Sequence, residues 1–199
     1  MKNPLVYFFD WLKKYRMERM YEHQEVWGRS DTNKDIDAAV SMLTGRHFGT
    51  CLDIGTGLGH YAERLAPQCD HILATDISDK AVVRARERLA HIKNITFAAG
   101  NARTMRLDDP FDLVVLGDML YYLGDTRFPA EFEEVLKHIA GLVAPGGTLL
   151  MSNFIAPWSP RERSANYAKQ IGQYGLSIEK ETVFTEGQKS WHQVVLHKR

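Results

Sequence analysis

From residue 46 onward, the apolar positions of this chain fall into short unbroken runs, separated by stretches in which they recur every three or four residues. The runs are Thr50–Ile54, His71–Asp76, Asn94–Ala99, Asp112–Leu116 and Thr148–Phe154. Near-continuous apolar runs are what strands buried on both faces require, whereas a half-exposed strand would alternate. Between them lie helical patterns. Ser78 is placed to cap a helix through Leu89 in which Val82, Ala85 and Leu89 share a face. From Pro129 to Val143, the residues Phe132, Val135, Leu136, Ile139 and Leu142 follow the helical period until Ala144-Pro145-Gly146-Gly147 ends it. Strands alternating with helices across short connections predict a parallel sheet covered on both faces. The tail differs: Gly175–Phe184 and Ser190–His197 read as strands joined by Thr185-Glu186-Gly187-Gln188-Lys189, a hairpin-length loop. The expected fold is therefore α/β, with seven strands, mostly parallel, closed by an antiparallel hairpin.

Upstream of these runs the pattern is helical. Asp31 or Thr32 is placed to cap a segment in which Ile36, Ala39, Val40 and Leu43 form a stripe ending at Gly45. Leu5–His23 holds Tyr7, Phe8, Phe9, Trp11, Tyr15 and Tyr21, an aromatic density that suits a lid over a site or packing against the sheet. It lacks the clear basic face of a membrane-surface helix. The expected organisation is one domain, 1–199, with an N-terminal helical lid or cap over 1–45 and an α/β core over 46–199.

Composition narrows the classes. Hydrophobic content of 44% and charged content of 25% are those of a globular protein in water. Lys+Arg and Asp+Glu are both 25, so no charge excess argues for nucleic acid or an anionic membrane as partner. Cys51 and Cys69 have no metal-ligand spacing, nor have His71, His91, His138, His192 and His197, and no metal is expected. No run is long enough to span a bilayer. Leu5 to Phe9 is cut short by Asp10 and Lys13-Lys14, too early for a signal-peptide core, so a cytoplasmic location is expected.

The chemistry concentrates in Cys51-Leu52-Asp53-Ile54-Gly55-Thr56-Gly57-Leu58-Gly59-His60-Tyr61. An apolar run, an acid and three glycines at alternate positions lead into a helix-like segment. That is a buried strand ending in a tight turn, where a nucleotide-like ligand approaches bare backbone. A dinucleotide fold needs Gly-x-Gly-x-x-Gly; counted from Gly55, its third glycine position is His60, and the last glycine comes one place early, at Gly59. Asp-x-Gly-x-Gly-x-Gly instead resembles motif I of the class I S-adenosylmethionine-dependent methyltransferases. Their donor has no phosphate and carries a sulfonium and an ammonium, to which an acid at Asp53 is suited.

The resemblance implies a Rossmann-like fold, S-adenosyl-L-methionine as cofactor, and contacts to it from Asp53, Gly55, Thr56, Gly57 and Gly59. Asp76, 21 positions beyond Gly55, ends the second strand and is placed to accept from both ribose hydroxyls, with Ile77 next to it. Its plainer role is a helix-start carboxylate favoured by the macrodipole. Asn101, with Ala102, stands where the family commonly has an aspartate that accepts from the adenine amino group. Its amide oxygen can accept but brings no charge. Asp118 matches an acid common after the fourth strand, and Tyr122 stands where many small-molecule methyltransferases carry histidine. No Asn/Asp-Pro-Pro-Tyr is present, which argues against adenine-N6 and glutamine methyltransferases. Gly117–Asp125, with Trp27 and Arg64–Cys69, looks like the nodulation protein S type, which N-methylates a deacetylated chito-oligosaccharide amine. That likeness runs from about Trp27 to Asn153.

Alignment of an acceptor behind an activated methyl group can supply on the order of 7–11 kcal/mol of the barrier. Asp118, Tyr122 and His60 are the candidates to hold the acceptor or take its proton. Each also has a plainer role, as a cofactor contact, a packing residue and a solvated helix start respectively. Tyr21 and Trp27 are placed to close over the pocket and bind acceptor or methionine, core packing being the alternative. Arg103 and Arg106 flank a loop near the cleft and read as surface residues, with an acidic acceptor as the alternative. Trp158, Arg161, Arg163 and Tyr167 follow the fifth strand without assignment. The leading expectation is a methyltransferase acting on a nitrogen or oxygen of a small molecule, with a sugar or oligosaccharide amine as the candidate acceptor. The alternatives are a nicotinamide oxidoreductase and a non-catalytic S-adenosylmethionine-binding partner subunit.

Overall fold

The buried-strand pattern is realised almost run for run. The computed structural model describes residues 4–22, 33–123 and 128–199. In chain order its elements are α1 (Pro4–Glu22), α2 (Lys34–Ser41), β1 (Phe48–Ile54), α3 (His60–Leu65), β2 (Cys69–Asp76), α4 (Asp79–Arg88), β3 (Ile95–Ala99), β4 (Phe111–Gly117), α5 (Leu120–Leu123), α6 (Pro129–Gly141), β5 (Val143–Ile155), α7 (Arg161–Gly172), β6 (Leu176–Glu186) and β7 (Lys189–Lys198). The strands form one sheet in the order β3-β2-β1-β4-β5-β7-β6. The pairs among β1 to β5 are parallel. β7 is antiparallel to both β5 and β6. The chain runs outward from β1 to β3 and then returns to the other side of β1, so the strand order reverses between β1 and β4. In open α/β sheets the crevice at such a reversal, beyond the carboxyl ends of the strands, is where ligands bind.

Strand alternation divides the core between two faces. Leu52, Val114, Leu149 and Met151 pack with Leu136 and Ile139 of α6 and Ile171 of α7. Cys51, Leu113, Val115 and Leu150 pack with Ile36 of α2, Leu65 of α3 and Leu89 beyond α4. Ser78 caps α4 as its position predicts, its Oγ accepting from Ala81 N at 3.1 Å.

Three features differ from expectation. The helix α6 stops at Gly141, and β5 already begins at Val143, because Phe111 N takes up Leu142 O at the start of the sheet. The α2 helix starts at Lys34 after Asn33; Asp31 and Thr32 lie outside the described residues. A full helix, α7, follows β5, and on it Tyr167 is buried against Phe132 rather than turned to a pocket. Among the described residues, no helix is long and apolar enough to cross a membrane.

The aromatic α1 has two faces. Asp10, Lys13, Met17 and Tyr21, at helical spacing, look into the crevice. Phe8, Trp11 and Tyr15 stack along the outer face, with ring centroids 6.1 and 6.0 Å apart. Its carboxyl half is tied to α4: Glu18 accepts from Asp79 N at 2.7 Å, Lys14 meets Asp79 at 2.7 Å, Lys80 pairs with Glu22, and Arg84 donates to Tyr21 O at 3.0 Å. Glu18 thereby satisfies amide groups that a helix start leaves open.

Candidate active site

A cavity of about 450 Å³ occupies the crevice at the β1–β4 reversal, roofed by α1. Its floor is the glycine loop, where Gly55, Thr56 and Gly57 line the space. Gly55 N and Thr56 N both donate to Thr75 O, which turns the chain at the end of β1. Gly57 sits at φ +57°, and a Cβ there would lie 2.9 Å from Tyr21 Oη. Glycine suits this position, since the left-handed region disfavours a side chain and a Cβ would push the Tyr21 hydroxyl aside.

Two members of this motif lie beneath the cavity rather than on its wall. Asp53 is 1% exposed and is absent from the lining; its Oδ2 accepts from Thr56 Oγ1 at 2.6 Å. That bond holds the turn in shape. Gly59 is also off the wall. A Cβ at Gly59 would come within 2.8 Å of Leu89 Cδ1, so its role is to let α3 and the loop pack against the α4 side of the core. Asp53 and Gly59, both expected to contact the ligand, thus have a bond within the turn and a packing contact beneath the loop as their described surroundings.

Asp76 ends β2 on the cavity wall with Ile77 beside it. Its Oδ2 accepts from Gly57 N at 3.0 Å and its Oδ1 from Ser78 N at 2.9 Å. Burial pushes its carboxyl above the usual carboxylate range, and those two amide bonds pull the other way. Asn101 and Ala102 line the wall after β3. The Asn101 amide oxygen, expected to accept from a ligand, accepts from Arg103 N at 2.9 Å in its own turn, which occupies one of its two lone pairs. Its Nδ2 donates to Asp10 Oδ2 at 3.3 Å.

Beyond β4 the walls change character. Asp118 holds φ +53°, a left-handed conformation that costs most side chains about 1–2 kcal/mol. It is kept there from both ends: Asp118 N donates to Ser152 O at 2.7 Å, and Asp118 Oδ1 accepts from Phe154 N at 2.6 Å. Gly117 before it has no room for a side chain, since a Cβ would meet Tyr61 Cε2 at 2.3 Å. Tyr122, on α5, and His60, the first residue of α3, reach the same cavity. Asn33 Nδ2 lies 3.5 Å from His60 Nδ1.

Around this end stand aromatic rings that sequence reasoning did not bring together. Tyr121 meets Trp158 edge-on at 5.1 Å, and Phe154 faces Trp191 at 5.4 Å. Phe154 and Trp191 are cross-strand partners of β5 and β7, so the antiparallel tail delivers Trp191, and Lys189 with it, to the cavity. Of these only Trp158 carried a signal, its position just after the fifth strand. Tyr21 is on the wall, but over Gly57 rather than at this aromatic end. Trp27 lies outside the described residues. Arg103 is not a surface residue: its side chain is 8% exposed and pairs with Asp10 at 3.1 Å. Among the described residues, no group of three or more His, Cys, Asp and Glu side chains is gathered as a metal would need.

Residues 52–149 match the methyltransferase domain family. With the sheet order and the glycine loop at the strand reversal, the chain has the fold and the loop motif of the class I S-adenosylmethionine-dependent methyltransferases. Within that class the likeness is to the nodulation protein S type. Nodulation protein S of Rhizobium tropici is 30% identical over 106 residues, which are 53% of this chain and 43% of that protein. An uncharacterized methyltransferase of Mycobacterium tuberculosis is 32% identical over 128 residues, 64% of this chain and 61% of that one. The chain thus matches less than two thirds of the length of either relative. The crystal structure of the N-methyltransferase NodS from Bradyrhizobium japonicum WM9 with S-adenosyl-L-homocysteine shares the fold, with a TM-score of 0.80 at 20% identity over 93% of this chain and 97% of that one. The cofactor of the class is S-adenosyl-L-methionine, and the cavity fits it in kind: a bare-backbone loop, a buried acid at the end of β2, and apolar Ile77 and Ala102 beside it. A nicotinamide dinucleotide, already disfavoured by the position of Gly59, gains nothing from these matches.

Proposed function

We propose that this protein methylates a nitrogen or oxygen of a small molecule, and that its acceptor is an amine of the sugar or oligosaccharide class. The observation that carries this reading is the aromatic enclosure of Tyr121, Tyr122, Phe154, Trp158 and Trp191, which opens on Asp118 and His60 in the same cavity as the glycine loop. An amine arrives as an ammonium, and ring faces attract it by about 0.5–2 kcal/mol, more as water is excluded. Ring faces also take the apolar faces of sugar rings, while hydroxyls at the rim remain hydrated.

S-adenosylmethionine, when bound, supplies a methyl group already activated on sulfur. Gly55, Thr56, Gly57, Asp76, Ile77, Asn101 and Ala102 are the residues that would hold it. The remaining work falls to the acceptor end. The rings position the acceptor and exclude water. Asp118 holds the acceptor N–H or O–H and receives its proton, with Tyr122 and His60 beside it. The tether to Phe154 N fixes the Asp118 carboxyl and ties it to the strand that carries the aromatic wall.

Turnover of labelled S-adenosylmethionine with glucosamine, deacetylated chito-oligosaccharides, phenols and carboxylic acids tests the reading. Methylation confined to the amino sugars supports it. Turnover with phenols or acids alone overturns the acceptor class. Binding of S-adenosylhomocysteine with no turnover on any acceptor would favour a non-catalytic binding subunit.

A further inference from the structure

The acid that the class commonly places after the third strand is missing here, since Asn101 occupies its position. The fold brings a different acid to that spot. Asp10 comes from α1, 91 residues away in the chain, and its Oδ2 lies 3.3 Å from Asn101 Nδ2. Its side chain is 7% exposed and borders the same cavity as Asn101, Ala102 and Ile77. Arg103 Nε holds it at 3.1–3.2 Å, and Arg103 is itself fastened by donating to Leu123 O at 2.6 Å and Glu131 O at 3.2 Å. Lys13 Nζ stands 3.9 Å from Asp10 Oδ1.

We propose that Asp10 reads the nucleobase of the donor, accepting from the exocyclic amino group of adenine in place of the aspartate that Asn101 replaces. This rests on S-adenosylmethionine being the cofactor. A carboxylate offers about four acceptor directions, and the bonds from Arg103 and Asn101 leave capacity for a further donor. The Asn101 amide oxygen has one lone pair committed to Arg103 N. A carboxylate only accepts, so it selects a base that presents an N–H and opposes one that presents a carbonyl. Because Asp10 belongs to the roof, recognition of the base and seating of α1 become one event. Arg103 is then a positioning residue, aiming the carboxylate.

The test is calorimetry of the full chain with S-adenosylhomocysteine and with its 6-oxo analogue, S-inosylhomocysteine, for the wild type and Asp10→Asn. The wild type should prefer the adenine compound by roughly 5- to 150-fold, the worth of one good base contact. Asp10→Asn keeps a hydrogen-bonding side chain of the same size, and its amide N–H can serve the 6-oxo group, so the preference should shrink to within about threefold or invert. Equal wild-type affinity for the two compounds overturns the proposal without any variant having to fold. A variant that binds both compounds more weakly but keeps the full wild-type preference overturns it as well, leaving Asp10 as a clamp for α1. If the wild type binds neither compound, the cofactor assignment itself fails, and this proposal with it.

Discussion

The two ends of the cavity are built by different means. The donor end is made of loops at the carboxyl ends of consecutive strands: the glycine loop after β1, Asp76-Ile77 after β2, and Asn101-Ala102 after β3. Each loop is positioned by its own strand and by bonds across one or two neighbours, such as Gly57 N to Asp76 and Gly55 N to Thr75. The proposed acceptor end gathers Tyr121 and Tyr122 from α5, Phe154 from β5, Trp158 from the turn after it, and Lys189 and Trp191 from β7. No local motif specifies that gathering; the antiparallel insertion of β7 between β5 and β6 does. A fold can therefore keep its donor chemistry while the tail and the roof change what it acts on.

Separate construction predicts separable defects. The largest is expected for Asp118→Asn. It preserves the acceptor for Phe154 N but removes the charge, so turnover should fall by about 10²–10⁴-fold, while S-adenosylhomocysteine affinity changes less than about threefold. Loss of that affinity instead would assign Asp118 to the donor end. Gly57→Val places a branched side chain at φ +57° against Tyr21 and should weaken S-adenosylhomocysteine binding about a hundredfold, roughly 2.7 kcal/mol by calorimetry. Its converse is Trp158→Ala, at an exposed ring of the proposed acceptor wall, which should raise the acceptor KM about two- to fivefold, the loss of one exposed ring contact. Donor affinity should stay unchanged.

The smallest effect is one of pH, and its sign differs between the empty and the liganded protein. Burial raises the Asp76 carboxyl above its ordinary value. In the empty protein this favours the neutral acid, so its contribution to stability is present at low pH and is lost as pH rises through the folded value. Ligand hydroxyls favour the carboxylate, so S-adenosylhomocysteine affinity should fall on acidification, beginning at a higher pH than an ordinary aspartate would give. Titration calorimetry across that range should show the fall for the wild type and a flat profile for Asp76→Asn.

The apolar runs, the Ser78 cap and the glycine loop were legible because each depends on neighbours within one strand-turn-helix unit, where period and turn chemistry act locally. The bond from Thr56 to Asp53 and the approach of Leu89 to Gly59 were not, since an acid or a glycine in a turn looks the same in sequence whatever packs around it. The helix α7 was passed over because its buried face of Ser164, Tyr167, Ala168 and Ile171 carries only one large aliphatic residue. Local sequence, then, determined the strands, the reversal loop and the donor chemistry, because the hydrogen bonds that shape them span few residues. Tertiary structure alone decided that Asp10 meets Asn101, that Trp191 meets Phe154 and that Tyr21 lies over Gly57. Those contacts join segments far apart in the chain, and only the packing of the whole sheet and its roof brings such segments within bonding distance.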